Sequence, residues 1–229
     1  MKKLTILFFA LILASATNAQ DAKLHFGLKA APSLAWLHSS TKGYDSNGSK
    51  FGFTYGLITE FKFSDNYAFA TGLDVAYRGG KSKFTESQTV GSTTFTSSIE
   101  ESITLQYIEL PLTLKLKTNE IGYLTYYLQA GLAPGINISA SADEKISTQT
   151  TTGGSTTTST ADSTGMDIKK GTNNFNLSMV IGGGVEYTLS GSTVLLVGLQ
   201  FNNGFLDVVD DSAVKVNSNY LALTVGILF

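Results

Sequence analysis

The segment NSNYLALTVGILF, Asn217 to Phe229, alternates between two kinds of residue. Large apolar residues occupy one side, and mostly small or polar residues occupy the other. The first set is Leu221, Leu223, Val225, Ile227 and Phe229, and the second is Tyr220, Ala222, Thr224, Gly226 and Leu228. A period of two residues predicts a β-strand with one apolar face. We expect this strand to pair with the first strand of the protein, because such a seam would close a barrel and remove its free edges.

Seven earlier segments alternate in the same way: 24–37, 51–63, 67–78, 99–117, 123–138, 175–189 and 193–201. Most are about 10 residues long or longer, which suits a tilted membrane strand better than a strand of a soluble sheet. In the fourth segment, Ile103, Leu105 and Tyr107 share one parity, whereas Leu110 and the leucines after it share the other. We therefore expect a β-bulge near 108–111 that absorbs one extra residue.

The connections between these segments alternate in length. Short connections at 64–66, 118–122 and 190–192 alternate with long ones at about 38–50, 79–98, 139–174 and 202–216. Tight periplasmic turns opposite long outer loops are typical of transmembrane barrels. The sequence therefore predicts an all-β protein, an eight-stranded antiparallel up-and-down transmembrane β-barrel. A soluble barrel or sandwich is the alternative.

Residues 1–19 have the pattern of a secretory signal, with Lys2 and Lys3 before the apolar run 4–13 and small residues up to Ala19. We expect cleavage before Gln20 and a barrel domain over 20–229, in the outer membrane of a Gram-negative-type bacterium. The chain has no cysteine, which excludes disulfides and thiol catalysis. Without Lys2 and Lys3, 14 basic residues face 18 acidic ones, and this net charge near −4 does not suggest nucleic acid as a partner.

Charged residues also occur on the side of the strands that would face the barrel interior. They comprise four cations and four anions: Lys29, Glu60, Lys62, Asp74, Arg78, Glu109, Lys115 and Glu186. The interior of an eight-stranded barrel is only wide enough for side chains. Because unpaired charges there would be costly, the balanced set predicts a structural network of ion pairs that fills the lumen. An ion or proton path is the alternative.

No catalytic, cofactor or metal site is predicted. The chain has two histidines, His25 and His38, and they are some 40 Å apart along one strand at about 3.3 Å per residue. His38 could act with Ser39 or Ser40, but no acidic partner is indicated. Asp207, Asp210 and Asp211 lack the ligand spacing of a known calcium loop. The Ser/Thr-rich run TQTTTGGSTTTSTADSTG at 148–165 predicts a flexible, solvated loop.

Three segments carry a resemblance to a known family: FGLKAAPSLAWL at Phe26–Leu37, YIELPLTLKLK at Tyr107–Lys117 and YYLQAGLAPGI at Tyr126–Ile136. They resemble the PorT-like outer-membrane β-barrel proteins over about residues 22–229. The resemblance implies a small barrel of the OmpA/OmpX type, and some relatives are implied to assist secretion or envelope assembly. The terminal strand also resembles the strand by which the assembly machinery recognises such barrels, so Phe229 is predicted to be an assembly signal.

The predicted function is a non-enzymatic structural or interaction role in the cell envelope, and the resemblance implies an accessory role in secretion or assembly. The expected partners are outer-membrane lipid, the assembly machinery and an envelope or secretion protein, and the barrel is expected to be monomeric. Two other classes stay open. One is a narrow channel, which requires an open lumen, and the other is a surface enzyme that modifies lipids or peptides.

Overall fold

The computed structural model describes residues 24–41, 44–210 and 215–229, and the predicted signal segment 1–19 lies outside these ranges. The described residues form antiparallel strands and one short 3-10 helix at Lys169–Gly171. The strands are β1 (Leu24–Ser39), β2 (Tyr44–Ser46), β3 (Ser49–Ser64), β4 (Tyr67–Val90), β5 (Thr93–Glu109), β6 (Leu112–Lys117), β7 (Leu124–Thr152), β8 (Ser155–Asp167), β9 (Phe175–Ser190), β10 (Thr193–Gly204) and β11 (Val216–Leu228).

Eight strand positions form a closed ring. Their order is β1, β3, β4, β5 with β6, β7, β9, β10 and β11, and β11 returns to β1. At the seam, the backbone N–H of Phe229 donates to the carbonyl oxygen of Phe26 at 2.7 Å, and Phe26 N–H donates back at 3.3 Å. The predicted pairing of the last strand with the first is therefore confirmed, and so is the eight-stranded barrel.

The two faces of each strand differ as the alternation predicts. On β11, Tyr220 and Leu228 are buried inside the ring, whereas Leu221 and Leu223 point outward with nearly half of their surface exposed. The other strands repeat this pattern, so the outside of the ring is an apolar surface. An apolar surface of this extent is unfavourable in water but suits contact with lipid. In the described part of the chain, no helix is long and apolar enough to cross a membrane.

The predicted bulge near 108–111 is wrong. Glu109 pairs with Gly135 and Leu112 pairs with Leu132, so β5 and β6 continue in one register against β7. Ile103, Leu105 and Tyr107 do not face lipid but are buried inside the ring. The strand therefore keeps its parity, and its apolar residues change from the inner to the outer face at Leu110. The register shift lies instead opposite Gln106 and Tyr107, on β7.

We name the two ends of the ring by their connections. The turn end carries 65–66, 118–123 and 191–192, and the loop end carries the long connections. At the loop end, two of the predicted loops are largely β structure. β4 and β5 continue to a turn at Gly91–Ser92, and β7 and β8 form a hairpin around Gly153 and Gly154. Their φ angles of 58° and 87° favour glycine.

The Ser/Thr-rich run at 148–165 is therefore a hairpin, not an irregular loop. We call the sheet beyond the ring, formed by Lys81–Val90, Thr93–Ser102, Asp143–Thr152 and Ser155–Ser163, the β extension. β-branched threonine favours extended backbone, and the cross-strand hydroxyl pairs of the β extension provide further contacts. A run of polar residues predicts exposure to water, but threonine is also a good strand former, and here it forms strands.

Candidate functional site: the lumen and the β extension

The turn-end half of the lumen contains a four-membered ion-pair cluster. Lys115 and Lys117 lie two residues apart on β6 and therefore point to the same side of the strand. Each ammonium group donates to both Glu60 and Glu186, and the Lys117 Nζ atom lies 2.6 Å and 2.8 Å from their Oε2 atoms. The Nζ atom of Lys115 also lies 4.0 Å from the centre of the Tyr127 ring. All five residues are buried. Each of the four charges has two partners of opposite charge, which offsets the cost of removing it from water.

A second level of the lumen contains two separate ion pairs. Lys29 Nζ lies 2.6 Å from Oδ2 of Asp74, and Arg78 Nη1 lies 2.9 Å from Oε1 of Glu109. The N–H directions of Arg78 miss the glutamate oxygen, so this contact is an ion pair rather than a hydrogen bond. Because both side chains of each pair are almost completely buried, water provides little screening of these charges.

Two aromatic rings hold the Arg78 side chain. Its guanidinium carbon lies 4.1 Å from the centre of the Tyr107 ring and 5.8 Å from that of Tyr220. The Tyr220 hydroxyl donates to Glu109 Oε2 at 3.4 Å and accepts from Asn202 at 3.1 Å. The cation is thus stabilised both by a carboxylate and by the negative faces of two rings.

Seven of the eight residues predicted for the lumen network belong to these clusters. The exception is Lys62, which is half-buried at the turn end and makes no ion pair within the described residues. Its place is taken by Lys117, which the sequence reasoning missed. The signal was present, because Lys117 has the same parity as Lys115 on a strand whose leucines face outward. With this exchange the paired set still has four cations and four anions.

A small cavity separates the two levels. It has a volume of about 40 Å³, and its lining includes Lys29, Glu60, Thr113, Lys115 and Gln129. This volume suits two or three water molecules. The turn end opens into a larger recess of about 770 Å³ beside Lys62, Lys117 and Glu186. The lumen is therefore accessible from the turn end only as far as the four-membered cluster.

An apolar cap closes the opposite end of the lumen. The cap consists of Leu37, Ile103, Leu105, Tyr107, Ala140, Ala142, Val208 and Val216, with Met166, Ile168 and Val209 packed against it. Val208 comes from the connection between β10 and β11, and its N–H donates to Val216 at 2.7 Å. Asn173 holds the same connection by donating to the carbonyl oxygens of Asp207 and Val209. The connection thus folds over the lumen and adds a valine to its seal.

The β extension has an outward face of hydroxyl groups arranged in rows. One row runs Thr89, Thr94, Thr151 and Thr156 across four strands, with hydroxyl contacts of 3.2 Å and 2.9 Å between the outer pairs. A row closer to the barrel on this face is charged, and it runs Lys83, Glu100, Lys145 and Asp162 across the same four strands. We call it the charged row. Repeated threonines alone would allow the strands to slip, so the alternating charges help to fix their register.

The remaining candidates for chemistry do not come together. His25 lies at the turn end opposite Glu60 on the neighbouring strand, whereas His38 is exposed near the loop end. The His38 side chain makes no hydrogen bond or ion pair in the described ranges, and the Ser39 hydroxyl donates to the carbonyl oxygen of Lys215. Within the described residues no group of three acidic or histidine side chains could hold a metal ion. Asp211 lies outside those residues.

The chain is similar to several solved structures of outer-membrane and surface proteins. Solved structures similar to the chain include Neisserial surface protein A, with 17% identity, 91% of this chain and 98% of that chain covered, and a TM-score of 0.43. Outer membrane protein OprG from Pseudomonas aeruginosa has 12% identity, coverages of 90% and 95%, and a TM-score of 0.40. Ail of Yersinia pestis has 12% identity, coverages of 90% and 98%, and a TM-score of 0.34.

No curated protein matches the chain significantly in sequence. A family model described as the outer membrane protein beta-barrel domain matches residues 18–210, which is most of the chain. These residues include all the strands up to β10 and every charged residue of the lumen clusters. The chain is therefore a member of the outer membrane protein beta-barrel domain family, and it is an outer-membrane protein.

Proposed function

We propose that this protein is a closed, non-enzymatic outer-membrane barrel that acts through contacts made by its β extension. The observation that carries the proposal is the filling of the lumen. Eight charged side chains form ion pairs inside it, and the apolar cap covers its loop end. A hydrated ion would have to break buried ion pairs and then cross an apolar layer, and both steps are unfavourable.

The β extension provides the surface for the proposed contacts. It continues four strands beyond the ring, and most of its side chains are exposed. The alternation of short and long connections favours the outer surface of the cell for this end. The resemblance to PorT-like barrels favours an envelope or secretion protein as the partner, and it is the basis for proposing an accessory role in such a process.

The closed lumen is tested by conductance. Purified, refolded protein would be placed in planar lipid bilayers, with a general porin measured in parallel as the positive control. We expect no stable conductance steps from the wild-type protein. Reproducible steps of uniform size would show an open path and would support the channel function instead.

The non-enzymatic role needs a separate test. The refolded barrel would be incubated with phospholipid and with a casein-derived peptide mixture, and the products would be followed by mass spectrometry. We expect no turnover. Turnover that disappears in His38→Ala but persists in His25→Ala would establish a surface enzyme and contradict the proposal.

A further inference from the structure

We propose that the outer edge of β8, from Ser155 to Asp162, is a docking site for an extended segment of another protein. The segment would add as an antiparallel strand, with mainly uncharged residues along Ser155–Ala161 and a lysine or arginine beside Asp162. This proposal names the partner class for the interaction role and so rests on the proposed function.

The first observation is an unpaired sheet edge. β8 pairs with β7 from Ser155 onward, and β7 is the only strand that pairs with it among the described residues. Closer to the turn end, the same side of β7 is covered by β9, which pairs with it from Leu124 to Ile136. Beyond the ring, β8 takes that position, and alternate N–H and C=O groups on its far side are left without a strand partner. Such an edge is a template for another chain.

The second observation is that this edge lacks the usual protection. Natural edge strands avoid association through lysine, proline, bulges or short length. The run Ser155–Ala161 contains no charge and no proline, and all seven residues are exposed. Its pairing with β7 is regular up to Ser163, and the register irregularity lies closer to the barrel. The opposite edge of the β extension differs, because β2 covers Ser82–Phe84 of β4 and Glu86 adds a charge beyond it.

The charged row specifies the chemistry of the partner. Its signs alternate across the sheet as Lys83, Glu100, Lys145 and Asp162, so the row ends on a negative charge at the free edge. The Lys83–Glu100 pair is in direct contact, with 2.9 Å between Nζ and Oε1. A cation on the added strand would continue the alternation, whereas an acidic residue there would be repelled.

The same charge argues against a second copy of this chain as the occupant. Two copies in one membrane project in the same direction, so their β8 strands would run parallel. A two-fold axis parallel to the strands would turn the charged row of the second copy to the opposite face of the joint sheet, so the second copy would place no cation beside Asp162. A separate segment is free to approach in the antiparallel direction and to supply the opposite charge.

The test uses a synthetic peptide with the β7 sequence KISTQTTT, Lys145–Thr152, because this sequence already pairs with β8 and sets lysine opposite Asp162. A fluorescently labelled peptide would be titrated onto the full-length refolded barrel in detergent and followed by fluorescence anisotropy. The matched control is EISTQTTT. We expect saturable binding, about two- to fivefold weaker for the control peptide, and the reverse preference for the variant Asp162→Lys.

Two proline variants test whether the edge itself is used. In neighbouring residues of a strand, the N–H groups point to opposite sides. One of Thr157→Pro and Thr158→Pro therefore blocks the free edge, and the other disturbs pairing with β7. We expect one variant to keep a protease-resistant β7–β8 hairpin and yet lose the peptide.

The proposal is overturned by an absence of peptide binding, by binding that ignores the charge at position 162, or by binding that survives both prolines. It is also overturned if Thr157→Cys forms disulfide-linked dimers in membranes, because the edge would then be occupied by a second copy. None of these results bears on conductance, so the failure of this inference can be distinguished from the failure of the closed-barrel function.

Discussion

Lys117 and Glu60 form a buried ion pair, with 2.6 Å between the Nζ and Oε2 atoms, although the two residues are 57 positions apart in the chain. β4 lies between their strands in the ring, so the contact crosses the lumen rather than a strand pair. Glu186 completes the arrangement from β9. This four-membered cluster therefore joins strands that are not neighbours in the ring, and we expect it to stabilise the closed ring.

Removing Lys117 should destabilise the barrel strongly. Lys117→Met would leave Glu60 and Glu186 with Lys115 as their one remaining cation in a buried site, and breaking such an arrangement costs about 3–5 kcal/mol. The free energy of unfolding in lipid vesicles would be measured by urea titration. Lys62→Met is the matched control, because Lys62 makes no ion pair in the described part of the chain. Equal losses in the two variants would contradict the assignment.

Arg78 and Glu109 should be energetically coupled. Their side chains are almost completely buried and lie 2.9 Å apart. We expect Arg78→Met and Glu109→Gln each to lower the free energy of unfolding, and the double variant to lose less than the sum by about 1–3 kcal/mol. A double-mutant cycle in vesicles provides this number. Additive losses would mean that the two residues stabilise the lumen independently.

Gly198 should not accept a side chain. A Cβ atom at this position would lie 2.2 Å from the hydroxyl oxygen of Tyr127 and 2.8 Å from the carbonyl oxygen of Gly183. Gly198→Ala should therefore lower the unfolding temperature, and Tyr127→Phe in the same chain should recover part of the loss, because the hydroxyl is the closest atom. Gly171→Ala is the control, since a Cβ atom added at Gly171 would have no atom within 4 Å. An unchanged unfolding temperature in Gly198→Ala would show that the Tyr127 side chain and the neighbouring strands can move to accommodate the methyl group.

Phe229 should contribute to assembly through its ring as well as through its backbone. Its N–H and carbonyl groups both bond to Phe26, so deletion of Phe229 removes two hydrogen bonds of the seam. Phe229→Ala keeps these bonds and removes only the aromatic group. If the ring is an assembly signal, both variants should be depleted in the outer membrane, as measured by fractionation and immunoblotting. Normal levels of Phe229→Ala with low levels of the deletion would assign the effect to the hydrogen bonds alone.

Shortening the β extension should leave the barrel intact. The residues of the apolar cap, such as Leu105 and Tyr107, lie at the base of the β extension. The segments 85–98 and 147–160 lie farther from the ring than the cap. Replacing these two segments with short turns should preserve the shift in gel mobility between unboiled and boiled samples. Loss of that shift would show that the ring depends on the β extension for folding.

The sequence alone determined the ring. Alternation with a period of two assigns an inner and an outer face locally, residue by residue, and the short turns restrict the pairing of neighbouring strands. For that reason the eight strands, the closing role of Asn217–Phe229 and seven of the eight lumen charges were predictable. The structure described here begins at Leu24, so the export signal stays a prediction.

Only the tertiary structure decided how the interior is filled and how far the strands extend. Ile103, Leu105 and Tyr107 have the same apolar character whether they face lipid or a cap, so their side of the wall depends on residues contributed by other strands, such as Leu37 and Val216. The same limit applies to the Ser/Thr-rich hairpin, because polarity indicates exposure to water but not whether the backbone finds a partner. Its partner strand, β5, supplies that pairing from more than 50 residues away.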